Sequence, residues 1–484
     1  MFSQLTHDRI EGATSNVMKE TIAGDHQLLG ATAVVPTTTE VNLNHYFRNS
    51  IGAVAGDEFI TIFWDYYVAQ FGRSVPAIWH ASNAVAGACW SRRPDSGLTP
   101  SAAALLDEES SKQYSGAVKH ILRMMKEGGE RPSPQTQTVV LLANIFLATY
   151  AVSVGEPSGF GSMYSTSRRL IRQWAFWECL DIPSLSVLAT QILYFYIKTE
   201  RIVSEFHPES ITKESKLLPG ESPMRWHDAV AYLQRRPMGC KIRACLELYM
   251  IWNCVNDVLD ALPLEPSTED ISTTYKNRHS FYTLYKSWES RYASLVSSPS
   301  PPSALRNVGD GISGMDIVAL DIRRLLLGII FRFPISSCRP VWCETAWDSF
   351  EPVFEEAAGI LERTMRCSDS TMLSVASLYT SCQFILHRCR SPVLRRKVLS
   401  VLRSSFDGSS SVICATVSLP LMVDEVVSLE ESAWKRAEAG GECDAEERCK
   451  PSRFICNMHR VARVSIDRAA GNKRSEGKYG MLSY

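Results

Sequence analysis

FWDYYVAQFGRSVPAIWHASNAVAGACWS, Phe63 to Ser91, decides the fold class. Trp64, Tyr67, Val68 and Phe71 recur three or four positions apart, and beyond Pro76 so do Ala77, Ile78, Ala81, Ala84, Val85 and Ala88. That period marks one face of an α-helix, whereas a half-buried strand alternates at every second residue. Pro76 suits a first helical turn, where its missing N–H leaves nothing unpaired and its fixed φ is already helical. The stretch therefore predicts two helices, Glu58–Phe71 and Val75–Trp90, packed through a small-residue face. His80 is the one histidine in it and reads as a framework residue with a backbone or side-chain partner. The alternative is an aromatic-lined pocket made by Trp64, Trp79, His80 and Trp90.

The same spacing extends outward in both directions. Ser101–Lys126, Pro134–Val154, Ser158–Cys179, Leu185–Phe206, Met238–Leu262, Thr274–Val296, Met315–Phe333, Thr345–Met365 and Met372–Cys389 have helical length and i, i+3/i+4 apolar recurrence. Pro and Gly punctuate the gaps. Strand-like alternation is rare, so the expected fold is all-α, a multi-helix array of packed antiparallel helices. Residues 1–40, with ATAVVPTTTE, read as a poorly ordered lead-in. Residues 41–296 form a first helical part. Residues 297–314, opening with SSPSPPS, form a Pro/Ser/Gly-rich link. Residues 315–452 form a second helical part, and residues 453–484 a mildly basic tail with seven Lys or Arg against Asp467 and Glu476.

Composition narrows the function classes. The 484 residues carry 45% hydrophobic and 21% charged residues, a balance that supports a packed core rather than a disordered chain. A formal net charge of −1 gives no strong positive field for phosphate backbones, so direct DNA contact is not expected. The start, MFSQLTHDRIEG, lacks a basic segment followed by an apolar run, which predicts no secretory signal. Val139–Val154 is nearly apolar but falls short of the roughly 20 residues of a membrane-spanning helix, so it reads as a buried helix and no membrane partner is expected. The 14 cysteines are scattered and expected to be reduced.

No motif in the chain announces a reaction. GDGISG, Gly309–Gly314, fits G-x-G-x-x-G in letters, but a dinucleotide site needs a preceding strand, and a Pro/Ser link stands there instead. Cys443, Cys449, Cys456 and His459 are spaced too widely for a tight zinc turn. Cys382, His387 and Cys389 do not share one helix face. Asp257 with Asp260, and Glu355 with Glu356, read as solvated charge. The reading is therefore no catalytic residue, no metal and no cofactor. CRSPVLRRKVLSVLRSS, Cys389–Ser405, predicts an amphipathic helix capped by Ser391 and opened by Pro392. Its Arg390, Arg395, Arg396, Lys397 and Arg403 make a basic outer face, the candidate for import or for an acidic partner.

Residues His45, Phe47, Trp64, Gln70, Pro76, Ala77, His80 and Ala81 resemble the opening of the fungal-specific transcription-factor domain, the helical region downstream of Zn(II)2Cys6 clusters. There a His-Phe pair and a tryptophan helix ending in Gln precede Pro-Ala-x-x-His-Ala. CRSPVLRRKVLSVLRSS is similar to that family's Cys-Arg-Asp-Pro-x-x-Arg-Arg helix, and VVSLEESAW, Val426–Trp434, to its terminal acidic helix. One departure stands out: the chain holds no C-x2-C and no cysteine before Cys89. The resemblance implies a nuclear transcription regulator of a fungal, secondary-metabolite gene cluster that works through other transcription proteins, among them a DNA-bound regulator, with a homodimer as a further option. The alternative is a cofactor-free cyclase or isomerase on the same helical scaffold.

Overall fold

A capping box opens the first helix. In the computed structural model the Thr37 side chain accepts the Glu40 N–H, and the Glu40 carboxylate returns to the Thr37 N–H at 2.8 Å, which satisfies two donors that every helix start leaves free. Helix α1 therefore spans Thr38–Tyr46 and begins inside the segment expected to be a poorly ordered lead-in. The structure describes residues 36–51, 72, 74–93, 96–206, 226–260, 268–297, 314–332, 344–367 and part of 381–406.

After α1 comes a π-helical turn, Phe47–Ile51, then α2 (Pro76–Arg92), α3 (Pro100–Gly128), α4 (Pro134–Ser153) and α5 (Pro157–Gln173). A 3₁₀ turn (Phe176–Asp181) leads to α6 (Ser186–Phe206), α7 (His227–Gln234), α8 (Lys241–Asp260), α9 (Thr268–Ser297), α10 (Gly314–Arg332), α11 (Glu344–Cys367) and α12 (Pro392–Phe406). Proline stands in the first turn of α2, α3 and α5, where it costs no hydrogen bond. Gly129, at φ 65° and ψ −152°, takes a positive-φ conformation open to glycine, and α3 ends there. No strand occurs among the described residues. The fold is all-α.

Two sequence expectations needed revision. Ser158–Cys179 is not one helix, because Ala175 turns left-handed at φ 51° and a 3₁₀ turn follows. No glycine or proline marks that break, so nothing in the letters Trp-Ala-Phe signals it. Helix α7 was not anticipated: its buried Ala229, Val230 and Leu233 keep helical spacing, but eight residues are too few for a period to stand out. The expected helix Glu58–Phe71 and the segments beyond residue 406 lie outside the described residues.

The chain packs as two units, with a division at Ser313–Gly314 and further crossings within α6, α8 and α9. In the first unit, α2 is the central helix. Its Ala77, Ala81, Ala84 and Ala88 are at most 1% exposed, and such small side chains let neighbouring backbones come close. Contacts His80–Gln113, Ala84–Ser110 and Ser91–Asp107 run in opposite chain directions, so α2 and α3 are antiparallel. Asn144–Ser167 and the approach of Gly159 to Ala151 show the same for α4 and α5. Helix α4 is buried over Val139–Leu147 apart from Asn144, which accounts for its continuous apolar run. No described helix is long and apolar enough to cross a membrane. The core continues through α6, α8 and α9, where Asn253 donates to the Ile197 carbonyl at 3.0 Å and Trp288 to the Ala244 carbonyl at 2.9 Å.

In the second unit, Leu326 and Leu327 of α10, Phe354 and Leu361 of α11, and Val398 and Leu399 of α12 are buried. Lys397 of α12 joins Glu362 of α11 across 2.5 Å.

Candidate functional site

Among the described residues of the first unit, a polar cluster surrounds His80, where α1, α2 and α3 meet. Glu40 of α1 is almost wholly buried, and its two carboxylate oxygens are both used. One accepts the Thr37 N–H at 2.8 Å; the other accepts Gln113 Nε2–H at 2.9 Å. The second hydrogen of that amide goes to Glu109 at 2.9 Å. With both amide hydrogens committed to carboxylates, Gln113 Oε1 faces His80 and accepts from Nδ1 at 2.7 Å. The two acids thus fix the amide, and the amide fixes the histidine: His80 carries its proton on Nδ1, leaving Nε2 as the acceptor when the ring is neutral.

A second imidazole completes the cluster. His120 of α3 stacks on His80 with ring centres 5.4 Å apart and planes 16° from parallel. Gly116, one helical turn before His120, makes room for this, since a Cβ there would stand 3.3 Å from His80 Cγ. Arg123 lies 3.2 Å from His120 Nδ1, and a guanidinium can only donate, so Nδ1 is the acceptor and the neutral ring carries its proton on Nε2. Burial, then the charges of His80, Arg123 and Lys119, hold His120 below the ordinary histidine range. Burial alone would raise the Glu40 carboxyl. The Thr37 N–H, the Gln113 amide, the Thr37 hydroxyl and His80 outweigh it, and the net shift is downward, so Glu40 is charged at neutral pH. What this arrangement can do is hold the His80 ring in one orientation and one tautomer.

The described residues of the alternative aromatic pocket do not share one setting. Trp64 lies outside the described residues. Trp79 is 1% exposed, His80 turns to Gln113 and His120, and Trp90 stacks on Tyr46 with ring centres 4.9 Å apart. His80 has the side-chain partner that the sequence suggested. Of the other residues that carry the resemblance, Phe47 is buried edge-on against Phe146, Ala77 and Ala81 are buried, and His45 stays at the surface beside Asn49. Gln70 is not among the described residues.

The basic face of α12 is not a single face. At about 100° per residue, Arg395 falls between Leu394, Val398 and Leu399 on the inward arc, and it is 5% exposed. Lys397 is engaged with Glu362, and Arg396 is exposed. Arg390 and the side chain of Arg403 lie outside the described residues. Glu355 and Glu356 are exposed, and Cys382 and Cys389 are buried. Neither the Cys443–His459 cluster, Gly309–Ser313, the basic tail nor Val426–Trp434 is among the described residues. Among those that are, no three His, Cys, Asp or Glu side chains are grouped to hold a metal.

A separate cleft of about 330 Å³ opens between the start of α4 and the 3₁₀ turn, lined by Pro134, Gln137, Trp174 and Cys179, with Arg131 and Glu178 paired at 2.7 Å on its wall. Burial, with the Glu178 carboxylate behind it, pushes the Cys179 thiol up to about 11, so it is protonated and a poor nucleophile.

Glu40, Gln113, Gly116 and His120 went unread in the sequence, yet their signals were there. TTTE spells a capping box, and Gln113, Gly116 and His120 recur three and four positions apart on one face of a helix that was expected. The fold and this cluster define an all-α helical array with a part-buried carboxylate–amide–imidazole chain where α1, α2 and α3 meet. Compared with protein-family models, with curated proteins and with solved structures, the chain matches none.

Proposed function

We propose that the protein is a nuclear regulator of a fungal, secondary-metabolite gene cluster, acting through other transcription proteins rather than through a zinc cluster of its own. One observation carries the reading. Of the described residues behind the opening of the resemblance, Phe47, Pro76, Ala77, His80 and Ala81 sit at or beside the helix contacts of the first unit, with Ala77 and Ala81 at most 1% exposed, and His45 stays at the surface. A motif spent on framework leaves the outward faces of the array for recognition, and recognition of protein partners is what the resemblance implies.

Deleting the gene and profiling transcripts together with metabolites tests it. The expected result is the joint loss or gain of a co-regulated set of transcripts. Unchanged transcripts with one missing metabolic step, and conversion of a pathway intermediate by the purified protein, would establish the cyclase or isomerase instead. The purified chain is expected to shift promoter DNA only when its DNA-bound partner is present.

A further inference from the structure

Two opposite charges on the wall of the cleft beside α4 are only half used. Arg131 donates to Glu178 through one guanidinium nitrogen at 2.7 Å, and neither side chain has another hydrogen bond or ion pair among the described residues. The remaining donors of the guanidinium fork and the second carboxylate oxygen stand open to a further partner. With the two side chains 64% and 50% exposed, the pair is screened by water and contributes little by itself, so both groups can turn to a guest at small cost. The rest of the lining is mostly apolar, from Pro132, Pro134, Trp174, Ala175, Cys179 and Ile182. A volume of about 330 Å³ stands at the small end of ligand sites, where one compact molecule fits.

Both sides of the cleft are fixed without a ligand. Gln137 donates to the Pro132 carbonyl at 2.8 Å and accepts from the Cys179 thiol at 3.8 Å, which ties the segment ahead of α4 to the 3₁₀ turn. The same turn is anchored to α7 through Asp181, which accepts from Arg236 at 2.5 Å and from the Tyr232 hydroxyl. Ala175, the one residue other than glycine at positive φ among the described residues, lies in the lining, and backbone strain of that kind gathers at binding sites. The charges then select the guest. An anion alone would meet Glu178 as well as Arg131, and a cation alone would meet Arg131 as well as Glu178. A small molecule with both charges side by side completes both groups.

We propose that this cleft binds a free α-amino acid with an apolar side chain, its carboxylate on Arg131, its ammonium on Glu178 and its side chain against Trp174 and the neighbouring prolines. The site does not depend on what the outer faces of the array recognise, so its failure would leave the proposed function standing.

Calorimetric titration of the full chain with L-phenylalanine, with phenylpropionate, which lacks the ammonium, and with phenethylamine, which lacks the carboxylate, tests the assignment. L-Phenylalanine is expected to bind saturably and each of the other two about tenfold more weakly, the loss that one charge-assisted hydrogen bond carries. Arg131 and Glu178 are exposed, so Arg131→Gln and Glu178→Gln are expected to keep the helical circular dichroism of the wild type. Glu178→Gln should let phenylpropionate bind as well as L-phenylalanine, and Arg131→Gln should do the same for phenethylamine. No saturable binding of L-phenylalanine, equal binding of the three probes to the wild type, or variants that leave the order of affinities unchanged would overturn the proposal.

Discussion

Gly87 of α2 and Ser110 of α3 approach so closely that a Cβ placed on the glycine would lie 2.8 Å from the serine Cβ, 3.2 Å from its Oγ and 3.3 Å from the Leu106 carbonyl oxygen. The Ser110 hydroxyl is held there by a 2.6 Å bond to the Ala84 carbonyl, so it cannot swing aside freely. Gly87→Ala brings a helix-propensity gain of up to about 1 kcal/mol, but the overpacking of this contact costs about 1–3 kcal/mol. The expected outcome is a net loss of stability, read as a lower urea midpoint at unchanged slope. A stabilised variant would show that the two helices can move apart.

Removing Glu40 strands the Gln113 amide and the Thr37 N–H, both of which it now accepts from. Glu40→Ala is expected to cost about 1–3 kcal/mol at neutral pH. The sign of the pH dependence follows from the lowered carboxyl. A group depressed in the folded state contributes stability above its unfolded value, about 4.3 for glutamate, and that contribution disappears as pH falls through the lower folded value. The gap in unfolding free energy between wild type and variant is therefore constant near pH 7 and closes in strong acid. Denaturant titrations at several pH values check it.

Asn83 is fully buried on α2, and neither its amide nitrogen nor its amide oxygen meets a hydrogen-bond partner among the described residues. A buried polar group without a protein partner costs about 1–3 kcal/mol, so Asn83→Leu, which keeps the number and branching of side-chain heavy atoms but is bulkier, is expected to recover that cost less a packing penalty and to leave stability near the wild-type value. Thermal unfolding measures this. A drop of several degrees would mean that the larger side chain is not accommodated or that a buried water is the partner of that amide.

The all-α class was legible because α3 repeats its apolar residues over several turns, long enough for a 3.6-residue period to separate from a strand's, and because the nearly continuous apolar runs of α2 and α4 are too long for a buried strand. His80 was legible as framework because it lies beside a small-residue face. Its partners were not. Gln113 and Glu40 are 33 and 73 positions away from His80 and from Gln113 respectively, and only the antiparallel return of α3 and the capping box of α1 bring them together. Arg395 shows the opposite failure. Counting basic letters predicted an outer face, whereas the angular step between Leu394 and Val398 turns that side chain inward.

The buried cysteines should behave as inert core residues. Burial pushes Cys382 and Cys389 up to about 12 and Cys179 up to about 11, which leaves almost no thiolate at pH 8. Cys89 is raised as well, by burial against which Ser153 and Arg92 act only in part. Alkylation of the native protein at pH 8 followed by peptide mapping is expected to leave Cys179, Cys382 and Cys389 unmodified and to label them after unfolding. Rapid native labelling of any of the three would place it in an opened segment.

The most costly single substitution is expected at Arg291 of α9. Its guanidinium grips Glu247 of α8 with two bonds of 2.7 and 3.2 Å and also donates to the Arg236 carbonyl at 2.6 Å, while the Glu247 side chain is 0% exposed. Burial nonetheless keeps the Glu247 carboxyl above its ordinary value, against the opposing pull of Arg291 and Arg243. A carboxyl raised on folding contributes most below its unfolded value and loses that contribution as pH rises through the folded one, so at neutral pH the pair is held by Arg291 against a desolvation cost. Arg291→Leu removes the counterion and is expected to cost about 3–5 kcal/mol at pH 7. The penalty should shrink on acidification, because Glu247 can then take a proton and be buried neutral. Glu247→Leu combined with Arg291→Leu should recover much of the loss, though not all, since the Arg236 carbonyl still lacks its donor. Urea unfolding of the single and double variants at pH 5 and pH 7 measures each step. A penalty that is equal at both pH values would mean that water reaches Glu247 once the arginine is gone.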